Sequence, residues 1–155
     1  MQKYILLIRG LPGSGKTSLS DIIMGRDPQA VTCSADDYFI NTAGEYVFDR
    51  HALVEAHKAC QARAGVAISL DKNVIVHNTF TERWELEPYF QMAFWGESSQ
   101  EAHKVIVVST FDGGCDDAAL AERNSHGVPV ESIAAMRERW QEDWGSGDPR
   151  PPWER

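Results

Sequence analysis

The sequence predicts an α/β fold of three layers, a parallel sheet of about four strands with helices on both faces. Three features predict it. Short apolar runs alternate with segments of helical spacing, and every connection between runs is long enough for a crossover. The first run empties into a glycine-rich turn that opens a helix. With neither an internal repeat nor a composition break, the 155 residues read as one domain, 1–144, followed by a turn-rich tail, 145–155.

The first run, Tyr4-Ile5-Leu6-Leu7-Ile8, is long enough for a strand buried on both faces. The turn after it reads Gly10-Leu11-Pro12-Gly13-Ser14-Gly15-Lys16-Thr17, the pattern G-x-x-x-x-G-K-[ST]. Ser18 and Leu19 continue into a helix with apolar residues at 19, 22 and 23 on one face. This is a phosphate-binding loop for a nucleoside triphosphate. Its glycines let successive backbone N–H groups curl inward toward phosphate oxygens, at the positive end of the following helix. Lys16 reaches the β- and γ-phosphates, and the Thr17 hydroxyl is the Mg²⁺ ligand. Residues 10–18 are therefore the expected nucleotide contacts.

Ala30-Val31-Thr32-Cys33 reads as the second strand, ending in Ser34-Ala35-Asp36-Asp37-Tyr38. Carboxyl ends of parallel strands face the ligand crevice, so either aspartate is placed to take a proton from an acceptor hydroxyl. A helix cap is the other use for such a residue, and the two aspartates can divide these roles. Residues 40–48 form an irregular excursion or small hairpin. Asp49 is the expected N-cap of the next helix, with Phe48 and Leu53 as its hydrophobic staple. That helix carries Leu53, Ala56, His57, Cys60, Ala64 and Ala67 on one stripe, with His57 read as a core histidine.

Asn73-Val74-Ile75-Val76 is the third strand and delivers His77-Asn78-Thr79-Phe80 to the crevice. Thr79 to Glu82 has the form of a capping box for a helix over 82–95, terminated by Gly96, with Trp84 in the core. Val105-Ile106-Val107-Val108 is the fourth strand, with Thr110 to Gly114 as its crevice loop. A short helix over 116–123 and a last one over 130–144 follow. Ile133, Met136, Trp140 and Trp144 form the apolar stripe of the latter.

The formal charge is −8 and the chain holds 3 cysteines. The odd, widely spaced cysteines fit reduced thiols in a cytoplasm, and no apolar run is long enough for a membrane span. An acidic balance argues against a non-specific nucleic-acid binder and permits an enzyme that handles one strand end.

Four motifs in order, Arg9 to Thr17, Ser34 to Phe39, Glu55-Ala56-His57 and Arg123-Asn124-x-His126-Gly127-Val128-Pro129, resemble the polynucleotide-kinase-like P-loop kinases, over residues 4 to about 144. That family includes the 5′-kinase domain of phage polynucleotide kinase. The resemblance implies the P-loop NTPase fold with a helical lid, and transfer of the γ-phosphate of ATP to a hydroxyl with Mg²⁺. On the matching positions Asp36 resembles the general base, Asp37 the alternative base, and Arg123 the lid arginine that stabilises charge on the transferred phosphoryl group. One departure stands out. The family carries an aspartate at the end of the third strand, where this chain has His77-Asn78-Thr79-Phe80. Either Asn78 serves by hydrogen bonding, or the acceptor site is rebuilt, with His77 and Phe80 stacking on a base.

The resemblance implies a nucleic-acid acceptor: a 5′-hydroxyl end, or the hydroxymethyl group of a modified pyrimidine such as 5-hydroxymethyluracil in phage DNA. Two rival readings are a small-molecule hydroxyl kinase, which the negative charge favours, and a non-catalytic nucleotide-binding regulatory module. Clustering of Arg50, Lys58, Arg63 and Arg83 at the crevice would favour nucleic acid over a small molecule.

Overall fold

The structure is a computed structural model that describes residues 1–96 and 102–155. Its sheet contains four parallel strands, β1 (Tyr4–Arg9), β2 (Val31–Cys33), β3 (Val74–Asn78) and β4 (Lys104–Ser109), in the spatial order β2-β3-β1-β4. Register places Ile5 opposite both Val74 and Val105. The C-terminal ends of β1 and β3 therefore finish side by side, Arg9 against Asn78.

The period-two alternation of a strand sorts β1 between two cores. Ile5 and Leu7 join Val74, Val76 and Cys33 under α2 (Leu53–Ser69) and α3 (Arg83–Met92). Leu6 and Ile8 join Ile75 on the opposite face, under Leu19, Ile23 and Met24 of α1 (Lys16–Arg26). Helices thus cover both faces, giving the three-layer P-loop NTPase fold. A separate small core of Leu11, Leu120 and Ile133 joins the phosphate loop to α4 (Asp117–Arg123) and α5 (Val130–Glu138). Among the described residues no helix is long and apolar enough to cross a membrane.

Several local expectations change. The last helix ends at Glu138, not at residue 144, because the chain leaves it to close over the end of β3: Gln141 N–H donates to the Thr81 carbonyl at 2.8 Å. Trp140 then lies on the Arg9 guanidinium, and Trp144 stacks on Phe90. The capping box of α3 starts at Glu82, not Thr79: the Glu85 carboxylate accepts the Glu82 N–H at 2.9 Å and the Thr81 hydroxyl at 2.8 Å. That helix ends at Met92 with Ala93 as its cap. Trp84 is half-buried, donates to the Glu82 carboxylate and meets Trp153 edge-on, so it is a surface contact for residues beyond 144 and not a core residue. Asp49 caps a short 3₁₀ turn, Arg50–Ala52, ahead of α2. Phe48 packs edge-on against Phe39, and both it and Leu53 stay exposed, so the expected staple does not form.

Arg9 organises the junction of these parts. It is fully buried, and its guanidinium donates to the Phe80, Thr81 and Gln141 carbonyls at 3.0, 3.2 and 2.8 Å. The Trp140 ring covers it at 3.8 Å. A buried cation is tolerable only with its donors satisfied, and here two chain segments, residues 80–81 and Gln141, supply the carbonyls.

Candidate functional site

The phosphate loop leaves β1 at Gly10 and enters α1 at Lys16. Gly13 and Gly15 have φ of 80° and 95°, a region where a side chain is strained. A Cβ on Gly13 would also collide with the Leu120 carbonyl, so only glycine lets α4 approach the loop this closely. Gly15 precedes α1 without a side-chain cap, which leaves the first-turn N–H groups of that helix for a ligand. Ser14 is tied to Thr110, in the crevice loop after β4, through a 2.7 Å hydroxyl contact. The Lys16 ammonium folds back onto the Gly10 and Leu11 carbonyls at 2.8 and 3.1 Å. Burial lowers its pKa to about 8, partly offset by the negative charge of Asp36. Leu11 is buried, Pro12 half-buried, and Thr17 and Ser18 are exposed at the loop mouth. A loop of free N–H groups, one ammonium and an exposed hydroxyl suits a triphosphate, and Thr17 is the residue that would hold Mg²⁺.

The two aspartates divide their work. Ser34 opens a 3₁₀ turn, Ala35–Phe39, in which the Asp37 carboxylate accepts the Ser34 N–H at 3.1 Å. Asp37 is the cap, and Arg63 approaches it at 3.8 Å. Asp36 points elsewhere: it accepts the Tyr46 hydroxyl on Oδ1 at 3.0 Å, and His126 Nε2 stands 3.6 Å from Oδ2. Tyr46 and His126 had drawn no individual attention in the sequence, because the 40–48 excursion has no period and His126 stood out only within its motif.

Asn78, at the end of β3, is buried. Its Oδ1 accepts the Ala35 N–H at 2.9 Å and its Nδ2 donates to Cys60 Sγ. The Oδ1 end thereby holds the turn that carries Asp36, and the Nδ2 end ties β3 to α2. His77 precedes Asn78 in β3. It projects to the α1 face beside Thr32, and burial lowers its pKa, which keeps the ring neutral at physiological pH. The expectation for Phe80 is corrected: with φ of 49° its side chain turns into the core against Tyr89, and at 2% exposure it cannot stack on a base.

Arg123 ends α4 next to the phosphate loop and is exposed. One guanidinium nitrogen donates to the Asp112 carbonyl at 3.2 Å and lies 3.0 Å from Cys115 Sγ. In this arrangement it points to the crevice loop after β4. Asn124 folds the following segment through five contacts: its amide donates to the Leu120, Ala121 and Val128 carbonyls, and its Oδ1 accepts the His126 and Val128 N–H groups. That fold carries His126 to Asp36. Of the four basic residues proposed as discriminators, Arg63 reaches the crevice through Asp37, whereas Arg83 is committed to Glu87 and to the Phe90 and Trp144 rings. Arg50 and Lys58 are exposed.

A family model described as an AAA domain matches residues 5–142. The chain belongs to that family. Among curated relatives of this AAA-domain chain, human NEDD4-binding protein 2 is 38% identical over 140 residues, which cover 88% of the chain and 8% of that protein. The chain thus spans a small part of that relative's length. Among solved structures, a chain of the Pnkp1/Rnl/Hen1 RNA repair complex superposes with a TM-score of 0.69 at 16% identity, covering 97% of this chain and 48% of that one. A gluconokinase from Sinorhizobium meliloti 1021 superposes with a TM-score of 0.51 at 16% identity, covering 92% and 78%. These likenesses give the P-loop kinase-like fold and are not particular to phages.

Proposed function

We propose that the chain is an ATP-dependent phosphotransferase that moves the γ-phosphate to a hydroxyl of a nucleic acid, either a 5′-hydroxyl end or the hydroxymethyl group of a modified pyrimidine. The observation that carries this reading is the placement of Asp36: its turn is held by Asn78 at the end of β3, whose register partner Arg9 leads into the phosphate loop. A carboxylate at the same end of the sheet as the phosphate loop is where a base for the acceptor proton is needed. Lys16 and the loop N–H groups hold the phosphates, and Arg123 swings from Asp112 to the charge that develops on transfer. Mg²⁺ held by Thr17 neutralises charge on the phosphate oxygens when bound. His77 and Asp37 border the acceptor side, and Asn78 supports it from below. The likeness to a chain of an RNA repair complex supports the nucleic-acid acceptor.

A small-molecule acceptor is the second reading. The charge of −8 and the commitment of Arg83 away from the crevice favour it, because a long nucleic-acid tract needs more free cations than these. The deciding experiment is transfer of labelled γ-phosphate from ATP to a panel: 5′-hydroxyl DNA and RNA oligonucleotides, duplex DNA containing 5-hydroxymethyluracil, nucleosides and hydroxylated small molecules. Label on an oligonucleotide end or inside the hydroxymethylated duplex is the expected result. Label confined to small molecules replaces the first reading by the second.

A further inference from the structure

The excursion between Phe39 and Phe48 is built to deliver one side chain. Asn41 folds its turn by accepting the Ala43 and Glu45 N–H groups, each at 2.9 Å, and Ile40 pairs with Tyr46 in an isolated antiparallel bridge. The Tyr46 ring meets Phe39 edge-on at 6.1 Å, and Phe39 is buried with Ala35 and Ala56. The phenol therefore leaves a packed base and ends 3.0 Å from Asp36 Oδ1. Burial, then the Asp36 charge and the hydrogen bond, raise the Tyr46 pKa, so its hydroxyl remains a donor. On the other side the His126 ring lies 4.3 Å from the Tyr46 ring, with Nε2 3.6 Å from Oδ2.

The two contacts differ in kind. The Tyr46 bond has hydrogen-bond length and a core-anchored donor. The His126 approach exceeds hydrogen-bond length and comes from an exposed loop beside Gly127, whose φ is 68°. We propose that Tyr46 is a positioning residue for Asp36, fixing Oδ1 so that Oδ2 faces the acceptor hydroxyl, which takes the place His126 holds in the free protein. The inference rests on the reading of Asp36 as the base. A carboxylate turns readily about its last torsion, so one anchored oxygen sets the direction of the other. In the reaction the acceptor oxygen bonds to the γ-phosphorus as the β–γ bridging bond breaks. ADP leaves, and the acceptor proton passes to Oδ2.

Tyr46→Phe keeps the ring and removes the donor. With the acceptor labelled in the panel, kcat falls about tenfold while KM for ATP is unchanged, and Tyr38→Phe, an exposed neighbour, changes neither. His126→Ala lowers KM for the acceptor about threefold, since no side chain then has to leave. An acceptor-independent readout is the ¹³C resonance of the Asp36 carboxyl, assigned by its loss in Asp36→Ala, which moves in Tyr46→Phe and not in Tyr38→Phe. An unmoved resonance, or a kcat within twofold of wild type in Tyr46→Phe, overturns the positioning role. A raised acceptor KM in His126→Ala overturns the place-holder role. Transfer that survives Asp36→Ala overturns the reading of Asp36 itself, a failure distinct from these.

Discussion

Two arginines, one just before the phosphate loop and one at the end of α4, differ in how fully the fold commits them. Arg9 is fully buried, satisfied by three carbonyls and covered by Trp140. Arg123 is exposed, with contacts to one carbonyl and one thiol. The same guanidinium chemistry gives a staple where water is excluded and a solvated charge where it is not. The aspartates repeat the lesson: Asp37 is consumed by a cap, and Asp36 is left facing His126 in the segment after α4.

The comparison predicts opposite phenotypes. Arg9→Met fills similar volume but leaves the Phe80 and Gln141 carbonyls without a donor at about 1 kcal/mol each, Thr81 keeping the Gln141 N–H, so urea denaturation should show a loss of about 2 kcal/mol. ATP affinity, measured below the new midpoint, should stay near wild type. Arg123→Ala should do the reverse. Its melting curve stays within about 0.5 kcal/mol of wild type, while kcat for phosphate transfer falls about 10²–10³-fold with the lost stabilisation of transition-state charge.

Asn124→Ala sharpens the contrast in the segment after α4. Loss of the five contacts of its amide should cost about 1–2 kcal/mol in denaturation, and it should increase amide hydrogen exchange in residues 124–128 without affecting β1. The smallest effect is in pH. Lys16 titrates near 8 in the free protein, and bound phosphate favours its charged form. Binding therefore takes up a proton above that pH, and calorimetric ATP affinity should fall about tenfold between pH 7 and 9, a change of about 1.4 kcal/mol. Lys16→Ala should bind weakly at both pH values and lose that slope.

Much of this architecture was legible in the residues. The four apolar runs are the four strands, the central β1 and β3 buried on both faces and the edge strands β2 and β4 only in part, and the phosphate loop announces itself because its backbone geometry demands glycine. The termini of helices were harder to read. Helix α5 is shortened by a tertiary bond from Gln141 to Thr81, and the α3 cap sits at Glu82 because the Glu85 carboxylate folds back onto the Glu82 N–H and the Thr81 hydroxyl. Phe80 was misread because its left-handed backbone, invisible in composition, turns the ring into the core. Tyr46 escaped notice for a related reason: the excursion that carries it is organised by Asn41 and by Phe39, residues that leave no periodic trace.

The most direct test of the account is single-turnover transfer of labelled γ-phosphate from ATP to the acceptor panel by wild type and by Asp36→Ala, with ATP binding measured on both. The account predicts label on a hydroxyl with wild type and loss of at least about 10²-fold in the rate with Asp36→Ala, at unchanged ATP affinity. Transfer at the wild-type rate by Asp36→Ala would contradict it.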